Sequence, residues 1–175
     1  MVTFLGQFMS QDWNDFPIWE EFFNKYPIKT FIELGTGVGG MSTFLALQCY
    51  QRGIKFHTFD NQRFMKWDVG VPALLKLRDC FHFQDMWCEE NVKDVTSIFT
   101  KEPHPLAIFF DDGDKPREWR TFAHLALVGD FLIVHDWGTE FLERDIIDVP
   151  VEPIMVEMCD SRPTWSLVSR WFKRI

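Results

Sequence analysis

Glu33-Leu34-Gly35-Thr36-Gly37-Val38-Gly39-Gly40 (ELGTGVGG) is the stretch whose reading decides the fold. It follows a short apolar run, TFIEL at 30–34, and precedes a helical segment at 41–52 that stops at Gly53. A strand that passes through glycines into a helix opens a βαβ unit. Glycines let the chain turn tightly and let a ligand approach with no Cβ in the way. The helix start beyond them offers free N–H groups. The loop also satisfies GxGxxG through Gly35, Gly37 and Gly40, with Asp60 about the right distance further on for a dinucleotide fingerprint. The loop alone therefore does not separate one adenosyl cofactor from another.

Working outward, strands and helices alternate. KFHTF at 55–59 is a second strand ending at Asp60. A helix is expected over 63–77, a third strand over 80–83 and a helix over 89–100. LAIFF at 106–110 is a fourth strand, followed by a helix over 115–128 with Pro116 in its first turn. FLIV at 131–134 is a fifth strand, followed by a short helix over 140–147. Two last strands, 152–158 and 165–172, are joined by a turn at 160–163. Upstream, Asp15 is placed to cap a first helix, with Pro17 in its first turn. Phe16, Trp19, Phe22 or Phe23, and Tyr26 give that helix an apolar face, and Pro27 ends it. Alternation of this kind implies a mainly parallel sheet covered on both faces. The expected architecture is α/β: a Rossmann-like, doubly wound, seven-stranded sheet with a C-terminal antiparallel hairpin. One domain is expected, with a helical segment at 1–29, cofactor-binding βα units at 30–149 and the hairpin at 150–175.

The 175 residues, 46% of them hydrophobic, suffice for one core. A net charge of −8 disfavours a nucleic-acid partner, since the basic residues gather only at Arg170, Lys173 and Arg174. Cys49, Cys80, Cys88 and Cys159 show no CxxC spacing, which gives a zinc site no support and suits reduced thiols. There is no basic leader with an apolar core and no run of about 18 apolar residues. A cytoplasmic protein with no membrane partner is the expectation.

The strongest chemical signal is Asp111-Asp112-Gly113-Asp114 after the fourth strand, paired with His135-Asp136-Trp137-Gly138 after the fifth. Neighbouring parallel strands bring these segments together on the ligand side of the sheet. Clustered carboxylates repel unless a cation or a shared proton relieves them. A hard divalent cation is one such relief.

On these residues the chain resembles class I S-adenosylmethionine-dependent methyltransferases. E-x-G-x-G-x-G from Glu33 resembles their motif I, and the strand order with its final hairpin is theirs. The segment from Leu106 to Gly138 looks like the macrocin O-methyltransferase and cephalosporin hydroxylase-like families. That resemblance implies an enzyme that transfers a methyl group from S-adenosylmethionine to a small molecule, as an O-methyltransferase. It implies cofactor contacts at Glu33, Gly35, Thr36, Gly37, Gly39, Asp60 and Asp112, with Asp85 and Met86 at the adenine. It implies a metal, Mg²⁺ or Mn²⁺, held by Asp112, His135 and Asp136, and Asp114 as general base. Chelation would favour a substrate with vicinal hydroxyls. His135 departs from the pattern, which has an Asp there, and imidazole suits Mg²⁺ poorly. Either the metal differs, or His135 is itself a base, or no metal binds. Phe64, Met65, Trp67, Trp137, Phe141 and Trp13 are candidates for the pocket rim. Two rival readings remain: an NAD-linked oxidoreductase, for which 175 residues leave no separate substrate domain, and a non-catalytic binding protein of the same fold.

Overall fold

The computed structural model describes residues 2–61, 77–82, 84–161 and 169–175. The expected helix over 63–77, all but its last residue, lies outside them, as do Phe64, Met65, Trp67 and positions 162–168 of the final turn and strand.

The chain opens with a hairpin, β1 (Val2–Phe4) and β2 (Gln7–Met9), then runs through α1 (Phe16–Lys25). The βα series follows as β3 (Thr30–Leu34), α2 (Gly40–Arg52), β4 (Lys55–Phe59), β5 (Phe81–His82) and α3 (Glu89–Lys101). It continues with β6 (Leu106–Phe110), α4 (Lys115–Phe122) and β7 (Phe131–Val134). The end is β8 (Val151–Ile154), α5 (Val156–Asp160) and β9 (Arg170–Arg174). Seven strands form one sheet in the order β5-β4-β3-β6-β7-β9-β8. The first five are parallel, and β9 runs antiparallel between β7 and β8. The doubly wound sheet with an antiparallel C-terminal pair is thus as expected.

The period-2 alternation of a strand sorts its side chains to opposite faces. Ile32, Leu34, Ile108, Phe110, Leu132 and Val134 pack with Val95 and Phe99 of α3 and Trp119 and Phe122 of α4. Phe31, Ala107, Phe109, Phe131 and Ile133 pack with Trp19 and Phe22 of α1 and Phe44 and Leu45 of α2. Trp19 centres that second layer, with ring centroids 5.1 Å from Phe109 and 5.2 Å from Trp171 in edge-to-face contact. Most of the aromatic content is therefore core. Among the described residues no helix is long and apolar enough to cross a membrane.

Five local features depart from expectation. The N-terminal hairpin was not expected; its turn is Leu5-Gly6, both at positive φ (47° and 83°), with no Asn-Gly or Asp-Gly to announce it. The helix over 115–128 stops at Phe122 and tightens into a 3₁₀ turn, Ala123–Leu125. Beyond it the Leu127 N–H bonds the buried Asp130 carboxylate at 2.8 Å, and Leu106 N–H bonds the same carboxylate at 2.8 Å. A side chain has replaced the helix carbonyl as acceptor. Residues 140–147 contain only a 3₁₀ turn, Glu143–Asp145, because the Asp136 carbonyl gathers the N–H groups of Thr139, Glu140 and Phe141 in a tight turn. The strand expected to run to 158 ends at Ile154, where Met155 takes a left-handed conformation (φ 58°) and α5 begins. Asp15 does occupy the N-cap position of α1, but its side chain makes no cap bond and is buried instead.

The hairpin reaches the βα core through one contact that only glycine permits. A Cβ on Gly40 would lie 2.3 Å from the Phe8 carbonyl oxygen and 2.7 Å from the Met9 Cβ. Gly40→Ala is expected to push β2 off the start of α2 and to cost about 1–3 kcal/mol. Urea unfolding measures the cost, and faster amide exchange over 7–9 with unchanged protection in β6 locates it.

Candidate active site

The carboxyl ends of β3 and β6 flank the point where the sheet order reverses, which is where open α/β sheets bind ligands. A polar cleft of about 250 Å³ lies there. Its walls are the loop and helix start from Gly35 to Met41, Asp60 and Asn61 after β4, Asp111 and Asp112 after β6, and Met9 to Gln11 from the hairpin.

Backbone bonds sew these loops together past the strand ends. Gly35 N–H reaches the Phe59 carbonyl at 2.9 Å and Asp111 N–H reaches the Leu34 carbonyl at 3.0 Å. A Cβ on Gly35 would meet the Asp111 carbonyl oxygen at 2.3 Å, so this glycine serves the close approach of two loops. Gly37 differs: at φ 54° it has open space where a Cβ would be, on the cleft side. Its N–H donates to the Asp60 carboxylate at 2.7 Å, which fixes that acid at the cleft wall. The first turn of α2 also faces the cleft through Gly40 and Met41.

Beneath the loop stands Glu33, fully buried and absent from the cleft wall. Thr58 donates to it at 2.6 Å, and the Thr36 hydroxyl lies 2.6 Å from that of Thr58. Burial pushes the Glu33 carboxyl up to about 8, against hydrogen bonds from Ser42 and Thr58 that pull the other way. Its second oxygen has no partner among the described residues. Glu33 is a post under the glycine loop, and reaches the cleft only through Thr58 and Thr36.

The acidic segments do converge, with a different membership from that expected. Asp111 Oδ1 lies 3.0 Å from His135 Nδ1 and 3.5 Å from Lys115 Nζ. Asp136 Oδ2 lies 3.2 Å from the same imidazole nitrogen and 2.9 Å from the same ammonium. Glu140 adds a carboxylate 2.8 Å from Lys115 Nζ. Gln11 donates to Asp111 Oδ2 at 2.7 Å. Asp136 is held at φ 55°, a strained conformation for a non-glycine residue that aims its side chain into this group. Asp111 and Asp136 hold the His135 imidazole up at about 10, although burial alone would lower it. Asp136 is held well below the ordinary carboxylate range by His135 and Lys115, again against its burial.

Of the residues expected in the site, Gly35, Thr36, Gly37, Gly39, Asp60 and Asp112 line the cleft. Asp112 is half-buried, and burial, then the charges of Asp60, Asp85 and Asp111, raises its carboxyl to about 7. Asp114 does not join the cluster: it is exposed and caps α4, accepting from Arg117 N–H at 3.2 Å. Asp85 is exposed in a turn with Trp87 N–H at 2.8 Å, and Met86 is buried among Leu34 and Phe59; neither lines the cleft. Phe141 is core and Trp13 is exposed. The reading of the sequence passed over Lys115, Glu140 and Gln11 and gave Asp111 no role. The spacing of Asp111 and Lys115 at i, i+4 was the available signal. So was a lysine at the first position of a helix, where the dipole opposes a cation.

The expected divalent metal does not fit these residues as they stand. His135 turns Nδ1 to two carboxylates, which it serves as a donor, while Nε2, on the far side of the ring from them, is buried with no partner among the described residues. The oxygens a cation would need, Asp111 Oδ1 and Asp136 Oδ2, already face both Lys115 Nζ and His135 Nδ1 at 2.9 to 3.5 Å.

No family profile and no curated protein matches this sequence. Solved structures do. The structure of cmcI with SAH aligns at a TM-score of 0.66 and 17% identity, covering 97% of this chain and 81% of that one. The structure of cmcI with Mg and SAM aligns at 0.61 and 18% identity, covering 77% of this chain and 57% of that one. A mutant of MtNAS aligns at 0.54 and 10% identity, covering 90% and 58%. The chain thus spans little more than half the length of two of these three. What it shares with them is the fold.

Glu33 gives this site a pH signature. A carboxyl at about 8 in the folded state and near 4.5 unfolded keeps its proton better when folded, so stability falls as pH rises between those values. Glu33→Gln, neutral at every pH, is expected to remove that fall. Melting midpoints of variant and wild type should diverge in the variant's favour across pH 5–8. A constant difference over that window would show that Glu33 does not titrate there.

Proposed function

We propose that this chain is an S-adenosylmethionine-dependent methyltransferase that methylates a hydroxyl oxygen of a small molecule. The observation that carries the reading is the polar cleft at the switch point of a sheet ordered β5-β4-β3-β6-β7-β9-β8, with Asp60 fixed on its wall by Gly37 N–H. Structures of the same fold holding SAM or SAH support it.

The residues present fit the cofactor. The start of α2, whose first turn lines the cleft at Gly40 and Met41, suits a carboxylate through the helix dipole. Asp60 suits the two ribose hydroxyls, because an ionised carboxylate accepts from both. When bound, S-adenosylmethionine supplies an already activated methyl group. The protein is left to align the acceptor oxygen and take its proton. Asp112 is the better base. It lines the cleft, and at about 7 it exists in both protonation states at neutral pH. Asp114 is outside the cleft, and His135, held at about 10, is already protonated. The preference for vicinal hydroxyls rested on chelation and has no support from these residues; a single acceptor hydroxyl suffices.

Calorimetry tests the reading. S-adenosylhomocysteine is expected to bind and NAD not to bind. Asp60→Ala should weaken that binding by about 1.5–3 kcal/mol, the worth of charge-assisted hydrogen bonds, with an unchanged melting midpoint. NAD binding with no response to either adenosyl ligand would overturn the proposal.

A further inference from the structure

We infer that the Lys115 ammonium, with the His135 Nδ1 edge beside it, takes the place of a divalent cation in this site, so that the Asp111–Asp136 pair is closed to metal and Lys115 is the positioning residue that holds it. Asp111 Oδ2 accepts from Gln11 at 2.7 Å, and Asp111 Oδ1 and Asp136 Oδ2 are each bridged by the same two nitrogens, Lys115 Nζ and His135 Nδ1. Three residues of this cluster, Asp111, His135 and Asp136, lie close enough together to have formed a metal site. Lys115 instead brings a full positive charge, and His135 its Nδ1, to the same oxygens.

Lys115 does not reach this position by default. Its side chain is 3% exposed, whereas a lysine at a helix start ordinarily carries its ammonium out to water. It also sits at the first position of α4, where the helix dipole opposes a cation. Burial on the unfavourable end of a helix requires compensation, and Asp111, Asp136 and Glu140 provide it with N–O distances of 3.5, 2.9 and 2.8 Å. A metal entering the group would have to expel the ammonium and strip the proton from His135, leaving Glu140 and the displaced lysine to find new partners. The consequence for Asp111 is functional: it lines the cleft, and Lys115 fixes its carboxylate from behind. Lys115 therefore acts on the site through Asp111 and does not itself line the cleft.

Metal exclusion stands on this geometry alone; that transfer proceeds without metal rests on the methyltransferase reading. The test uses the full chain and Mn²⁺ as probe. Wild type is expected to give no saturable Mn²⁺ signal by electron paramagnetic resonance and no rise in melting midpoint with millimolar Mn²⁺ or Mg²⁺. Lys115→Gln removes the counter-charge. It is expected to melt below wild type without metal and to recover as Mn²⁺ is added, because a ligand that binds only the folded state raises the midpoint with concentration. Lys115→Arg keeps the charge and is expected to stay blind to Mn²⁺, which leaves a folded comparison if the Gln variant fails to fold. Saturable Mn²⁺ binding to wild type that Asp111→Asn abolishes would overturn the inference. So would a Lys115→Gln variant that folds with wild-type stability and no response to metal. S-adenosylhomocysteine calorimetry on the same samples keeps the two proposals apart: loss of that binding in wild type would sink the methyltransferase reading and leave the metal result standing.

Discussion

The ligand end of this molecule depends on how closely the ends of β3 and β6 approach. The Asp111 N–H bond to the Leu34 carbonyl carries the parallel ladder one residue past the end of β6, at 3.0 Å. It can do so because Gly35 has no side chain where the Asp111 carbonyl passes. Any larger residue would part the two loops, open the floor of the cleft and withdraw Asp111 from it. The first glycine of the loop thus serves the protein's own packing, while Gly37 has open space where a Cβ would be.

Asp111 is also where the cleft joins the charged group behind it. One carboxylate oxygen is held by Gln11, delivered by the N-terminal hairpin, and the other by Lys115 and His135, delivered by α4 and the end of β7. Three separate parts of the chain therefore agree on the position of one side chain. Inside a protein such bonds are stronger than in water, and each partner is costly to remove. The strained backbone of Asp136 is supported by the same web. Rigidity of this kind suits a site whose task is alignment.

Most of the fold was legible because its strands are short apolar runs and its helices carry strong stops. TFIEL, KFHTF, LAIFF and FLIV became β3, β4, β6 and β7 with no change of boundary. The failures share a cause: side chains or single backbone conformations overrode local pattern. Asp130 ended α4 early, the Asp136 carbonyl prevented a helix at 140–147, and Met155 cut β8 short. The cleft's glycine loop and Asp60 were legible for the same reason the motif exists, since only glycine tolerates those turns. Of the charged group, His135 and Asp136 were legible in the motif after the fifth strand, whereas Asp111, Lys115 and Glu140 were not. Lysine at a helix start reads as solvent-exposed, and only the three-dimensional convergence of Asp111, Asp136 and Glu140 shows that it is buried. Asp114 stands at the N-cap of α4 and not in the cleft lining: a D-G-D segment offers two acids, and the second is equally suited to capping the helix that follows.

The central claim is that the cleft between the glycine loop and Asp111–Asp112 is the cofactor site. A crystal structure of the chain grown with S-adenosylhomocysteine tests it most directly. The ribose is expected against Asp60, the amino-acid portion along Gly35 to Gly39, and the sulfur facing the Asp111–Asp112 end of the cleft. A ligand bound elsewhere, or density in this cleft that excludes an adenosyl group, would contradict the account.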